Sequence, residues 1–167
     1  MTQKSSSLER AALIAEIIGG TAVVISVIYL AVQISDNNRL LRSQSHYNTL
    51  DITQRPFEAM MESDSLAKAL HQCNNEPYEV DEWVWLQCSN YYTMLFNGIE
   101  YNYYQNLEGT VPPEFWEGGD GYFTVEAESN AGYVRFWKET AHAFAEPFHS
   151  FVEERIAINP AMRKPSK

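Results

Sequence analysis

"IIGGTAVVISVIYLAVQIS", Ile17–Ser35, runs for nineteen residues without a charged side chain. As an α-helix such a run is about 28 Å long, close to the ~30 Å hydrocarbon layer of a bilayer. Glu16 and Asp36 bracket it, and Arg39 and Arg42 follow. A helix in a small soluble core is seldom apolar on every face. A cleaved signal sequence has a shorter apolar stretch, about 7–15 residues, and a small-x-small cleavage site. The continuation "VQISDNNRLLR" reads instead as more helix. The stretch is therefore predicted to be an uncleaved, single-pass transmembrane helix, with the lipid bilayer as its first partner.

Working outward, Ser6-Ser7-Leu8-Glu9 fits a capping box and predicts a helix start near Ser7. Towards the C-terminus no Gly or Pro interrupts the chain before Pro56, where a missing N–H is expected to end or kink the helix. The predicted division is an N-terminal segment 1–16, a transmembrane helix 17–35, a helical extension 36–56, an acidic, aromatic-rich helical domain 57–158 and a basic tail 159–167. On the anchor, Ala15, Gly19, Ala22, Ser26, Tyr29 and Gln33 recur at spacings of three and four. Small residues let helix backbones approach, so this face is the expected contact with a second copy or another membrane protein. Lys4 and Arg10 precede the helix while Arg39, Arg42 and Arg55 follow it, a near balance that leans towards a cytoplasmic C-terminal domain.

Composition narrows what that domain does. The 167 residues include ten Tyr, eight Phe and four Trp and carry a net charge of −10. Between Glu79 and Glu154 fourteen acidic residues face two basic ones, Arg135 and Lys138. Such a surface repels phosphate backbones, which argues against a nucleic-acid partner. The two cysteines, Cys73 and Cys88, match no zinc or C-x-x-C pattern; a disulfide is possible but not implied, and half-buried thiols are the expectation.

Helix punctuation is frequent, and no segment alternates like a strand for long. Ser63 or Asp64 can cap "SLAKAL", Asp81 can cap a long helix that Gly109 terminates, and Pro112 or Pro113 can open the next. Gly118, Gly119 and Gly121 are expected to form a turn. Ser129 or Asn130 starts a further helix, and Pro147 begins or kinks the last. Val84, Cys88, Tyr91, Leu95, Ile99 and Tyr103 share one helical face, broadened by Trp85, Tyr92 and Phe96. Val134, Trp137, Ala141, Phe144, Phe148 and Phe151 form a second apolar stripe. Burying both predicts an all-α fold: one transmembrane helix followed by a bundle-like domain of four or five helices.

"AEIIGGTAVVISVIYLAVQISDNNRLLRSQ" resembles the opening of a family of small bacterial proteins with an apolar helix, an Asn/Arg/Leu-rich stretch and a compact helical region. "LEGTVPPEFWEG" and "AGYVRFW" extend the resemblance more loosely. It implies an anchored helical protein of the bacterial inner membrane and brings no activity, cofactor or catalytic residue. Ser35-Asp36 stands where the family tends to be more basic.

The sharpest chemical pattern is a pair of E-x-x-H units, Glu139–His142 and Glu146–His149. Each places a carboxylate and an imidazole on one helix face, as di-iron bundles do, but there the units sit on different helices. Here they are in tandem, about 150° around the helix from the Trp137/Phe144/Phe148 stripe, which predicts a solvated face rather than a metal site. Asp120 in "EGGDGYF" lacks the companions of a P-loop or an EF-hand, and no G-x-S-x-G nucleophile motif occurs. No cofactor is expected, and enzymatic activity is left open with the balance against it. In "NYYTMLFNGIEYNYY" the rings are mostly core. The alternative is an aromatic groove near Trp85, Tyr92 and Tyr103, with Asn97, Asn102 and Asn106 as polar neighbours. The leading functional expectation is a membrane-anchored interaction module, self-associating through the anchor. Its alternatives are a small-ligand sensor with an aromatic pocket and, more remotely, a metal-binding bundle or enzyme.

Overall fold

The computed structural model describes residues 3–163, without the side chains of 3–6, 161 and 163. It is all-α: α1 (Gln3–Glu62), α2 (Asp64–Asn75), α3 (Glu82–Leu107), α4 (Pro113–Ser129), α5 (Ala131–Thr140) and α6 (Phe148–Ile156), with 3₁₀ turns at Ala141–Ala143 and Pro160–Arg163. The chain divides into two compact units, Met1–Ser43 and Gln44–Lys167.

The first unit is one helix. Its most apolar window has a mean hydropathy of 2.2, long and apolar enough to cross a membrane. Every residue from 7 to 43 is exposed, including Ile17, Ile18, Val24, Ile28 and Leu30. Apolar side chains on all sides of an uncovered helix suit a hydrocarbon solvent. The helix begins at Gln3, ahead of the capping box, whose Ser6 side chain lies outside the described residues.

The second unit starts earlier than the sequence suggests. Residues 44–56, read as an extension, already pack into it: Ser45, Thr49 and Pro56 are buried. Pro56 does not end α1, which continues to Glu62. The ring costs the helix one hydrogen bond, to the Ile52 carbonyl. That turn rests on α3 at Gly98, where a Cβ would lie 3.5 Å from Ile52 Cγ2 and 3.6 Å from Ile52 O. Tertiary packing outweighs the local break.

α3 runs through the centre of this unit, against α2, α4 and α5. Its most buried residues are Trp85, Cys88, Tyr92, Leu95 and Phe96, while Val84, Tyr91, Ile99 and Tyr103 pack around them half-buried. The Phe96 ring lies 4.9–5.8 Å from Phe123, Tyr133, Phe136 and Trp137. Several caps fall where the sequence puts them. Ser63 Oγ accepts from Leu66 N, Asn130 Oδ1 accepts from Gly132 N at 2.9 Å, Gly109 ends α3 at φ +65°, and Pro113 opens α4. The second apolar stripe is carried on α5 and α6, with Val134, Trp137, Phe148 and Phe151 all buried. The tail is docked at its start, where buried Asn159 donates to Ala127 O and Asn130 O; residues 164–167 lie outside the described part.

Two expectations are corrected. Gly118, Gly119 and Gly121 form no turn but lie inside α4. The helix is held across this weak stretch by buried Phe123 and Ala127 and by Asp120, which pairs bidentately with Arg155 of α6 at 2.8 and 2.9 Å. The cysteines are not free thiols: Cys73 on α2 and Cys88 on α3, both fully buried, form a disulfide. Closing a loop of 15 residues, it stabilises the fold by about 3 kcal/mol.

Candidate functional site

The tandem E-x-x-H pattern does not make a metal centre. The helix that would have carried both units breaks after Thr140, passes through a 3₁₀ turn and resumes at Phe148. Glu139 binds Arg135 Nε at 2.8 Å and accepts from Trp85 Nε1 at 2.9 Å. His142 is exposed. His149 leans on the Trp137 ring between Glu146, 3.6 Å away, and Glu153, 3.8 Å away. Among the described residues no three His, Cys, Asp or Glu side chains gather as a metal site.

Nor do Trp85, Tyr92 and Tyr103 line one groove. Trp85 and Tyr92 are core side chains, 6.0 Å apart. Arg135 stacks on Trp85 at 3.9 Å, and Tyr92 donates to Asn74 Oδ1 at 2.5 Å. Tyr103 instead packs on Trp116, Phe148 and Phe151, at the other end of the same core. The α3 helix runs too far along its axis between Tyr92 and Tyr103, about 16 Å, for one pocket to hold both. On α1, the face from Ala15 to Gln33 is uncovered, but its polar groups bond within the helix: Ser26 Oγ to Ala22 O at 2.8 Å, and Gln33 Nε2 to Tyr29 Oη at 3.0 Å. The Tyr29 O–H and the Gln33 carbonyl remain for a neighbouring helix, beside the small residues Ala15, Gly19 and Ala22.

A cavity of about 310 Å³ does exist, in the second unit, where the end of α1, the second half of α3, α4 and the start of α5 converge. Leu50 and Phe57 of α1, Leu95 and Ile99 of α3, Trp116 and Phe123 of α4, and Tyr133 of α5 form its apolar walls. Exposed Gln54, Gly119 and Tyr122 also line it, so it communicates with solvent. Each wall exists for a local reason. Pro56, kept inside α1, carries Phe57 on beyond Thr53; the unbroken α4 brings Trp116, Gly119 and Phe123 to one side.

The polar groups of this cavity are few. Thr53 Oγ1 donates to Thr49 O at 2.8 Å, and Asp120 is taken by Arg155, whose guanidinium also lies 3.6 Å from the Phe151 ring centre. Asn102 differs. It is 6% exposed, and its Oδ1 has no hydrogen-bond partner in the protein. A Cβ at Gly119 would stand 3.2 Å from Asn102 Nδ2, so the glycine makes room for the amide. A buried unpaired carbonyl oxygen costs about 1–3 kcal/mol. Sequence reading places Asn102 among polar neighbours; that it is buried beside a largely apolar cavity is a tertiary fact.

Burial dominates the electrostatics around the cavity and core. It raises the Tyr91 hydroxyl to about 12 and raises those of Tyr92, Tyr122 and Tyr133 as well. These phenols are neutral throughout the physiological range.

No protein-family model, curated protein or solved structure matches the chain.

Proposed function

We propose that this protein is a membrane-anchored helical domain that takes up a small, largely apolar molecule in the cavity between α1, α3, α4 and α5. The observation that carries the reading is the cavity itself, a largely apolar pocket of about 310 Å³ that is large enough for a small ligand. This favours the ligand-sensor reading over the pure interaction module, with the pocket moved from Trp85, Tyr92 and Tyr103 to Ile99, Asn102 and Trp116.

The anchor would sit in the bacterial inner membrane, as the resemblance of its first helix implies. The disulfide supports the opposite orientation to the charge count. Disulfides persist in oxidising compartments and are rare where cytosolic thiols are kept reduced, so Cys73–Cys88 favours a domain on the periplasmic side. The arginines after the helix argue only weakly against this, because Asp36 lies among them and the basic residues before it are nearly as many.

Uptake is tested on the full chain in lipid nanodiscs, titrated with N-methylindole against empty nanodiscs. Saturable binding that Ile99→Trp abolishes, in a variant shown by circular dichroism to be folded, is expected. Binding no different from empty nanodiscs rejects the reading. Orientation is tested by protease added to spheroplasts: digestion of the domain before lysis is expected, and protection until lysis would overturn it.

A further inference from the structure

We infer that residues 44–62 of α1 are the moving wall of this cavity: they lift away from α3 and α4 to admit the ligand and are clamped down by it once it is bound. The inference rests on the cavity reading and adds the device that opens and closes the site.

The first observation is where this part of α1 stands relative to the core. The buried apolar core is built from α2 to α6, and among the described residues of α1 only half-buried Met60 packs on it. The buried positions of α1 itself, Ser45, Thr49 and Pro56, carry small side chains. Leu50, Thr53 and Phe57, all half-buried, line the cavity instead. A segment with few buried apolar contacts opens at a lower cost than the core beneath it.

The second is how the helices are tied together. The Cys73–Cys88 disulfide joins α2 to α3, Trp85 donates from α3 to Glu139 of α5, and Asp120 of α4 pairs with Arg155 of α6. Residues 44–62 have one such tie, near their start, where Ser45 Oγ donates to Gln105 Oε1 and lies 3.3 Å from Thr110 Oγ1. Beyond it Thr49 and Thr53 donate to carbonyls of α1 itself, and Arg55 pairs with Asp51. Among the described residues, no side-chain hydrogen bond or ion pair to another helix has to break when 47–62 swings outward.

The third is the mouth. Exposed Gln54 of α1 stands on one side of it, and exposed Gly119 and Tyr122 of α4 stand on the other. Phe57 and Tyr122 bridge this seam edge-on, with ring centres 6.1 Å apart, and form a latch at the surface. A ligand inside touches Leu50, Thr53 and Phe57 on one wall and Ile99, Trp116 and Phe123 on the facing walls, so it adds apolar contacts between α1 and the core.

Amide hydrogen exchange on the full chain in lipid nanodiscs tests the device, with and without N-methylindole at about a hundred times its dissociation constant. Without the probe, protection of 47–62 is expected to be at least about tenfold lower than that of 85–96 in α3. With it, any opening that releases the ligand is suppressed about a hundredfold, so exchange in 47–62 is expected to slow by at least about tenfold. Exchange in α2, which lines no part of the cavity, is expected to change by less than about twofold. Equal protection of 47–62 and 85–96 without the probe overturns the moving wall, and so does slowing in α2 as large as in α1. If N-methylindole binds saturably and leaves 47–62 unaffected, the cavity reading stands and this inference falls. If it does not bind, the cavity reading falls and takes this inference with it. Tyr122→Ala removes the latch and is expected to speed exchange in 47–62 by about threefold, leaving 85–96 unchanged. Equal exchange in variant and wild type would overturn the latch.

Discussion

The two ends of α3 are packed to different standards. Around its first half, the gap between helices is closed by covalent and polar bonds. Cys88 is joined to Cys73, Tyr92 donates to Asn74, Trp85 donates to Glu139, and Arg135 donates to the Pro77 carbonyl while stacking on Trp85. Gly132 lies so close that a Cβ there would sit 2.2 Å from Tyr92 Oη and 2.8 Å from Cys73 O. Around its second half, the same helix faces a cavity of about 310 Å³ and an amide oxygen without a partner. Interiors are ordinarily filled to crystal-like density, and a buried polar group is ordinarily bonded. The second half relaxes both within one region. The cavity reading proposed above places its ligand at this second half.

The contrast can be broken most forcefully at Gly132. Gly132→Ala must move Tyr92 off Asn74 or push α2 away, and overpacking of this kind costs about 3 kcal/mol or more. Urea unfolding is expected to show that loss; a change below about 0.5 kcal/mol would mean the tight contact relaxes freely. Reducing Cys73–Cys88, or replacing both cysteines by Ala, should cost about 3 kcal/mol by the same measurement. Probe binding to whatever fraction remains folded should be little altered, because the cavity walls lie on the other half of α3.

Asn102→Leu acts in the opposite sense. Removing an unpaired buried amide should raise stability by about 1 kcal/mol, and equal or lower stability would argue that the oxygen is satisfied in solution. The last effect appears only at alkaline pH. Burial raises the folded-state Tyr91 to about 12, above its unfolded value near 10. Its contribution is therefore fully present below about pH 10 and is lost as pH rises towards 12, where the unfolded chain releases the proton first. Stability should fall across that window, and Tyr91→Phe should make the fall shallower. An unchanged slope would assign the alkaline limb to Tyr92 and Tyr133 alone.

Much of the helix pattern is readable from local chemistry. Ser63, Gly109, Pro113 and Asn130 act at helix ends because the backbone groups they satisfy, or the angles they adopt, are set within a few residues. Local chemistry misleads where a neighbour overrules it. Pro56 stays in α1 because that turn is packed on Gly98, and three glycines stay in α4 because Asp120 and Phe123 are held from α6 and α3. The E-x-x-H units are in tandem only along the chain: α5 ends at Thr140 and Pro147 precedes a new helix, so the two units do not share one helix.

The amino-acid sequence by itself determined the uncharged helix of membrane-spanning length, the all-helical class and the acidic surface. Each of these depends on residue type and spacing along one segment. The disulfide, the boundary at Gln44, the separation of Trp85 and Tyr92 from Tyr103, and the cavity with Asn102 on its wall were decided only by tertiary structure. All four depend on distances between residues far apart in the chain. A gap in packing has no residue of its own, so no pattern of letters announces it.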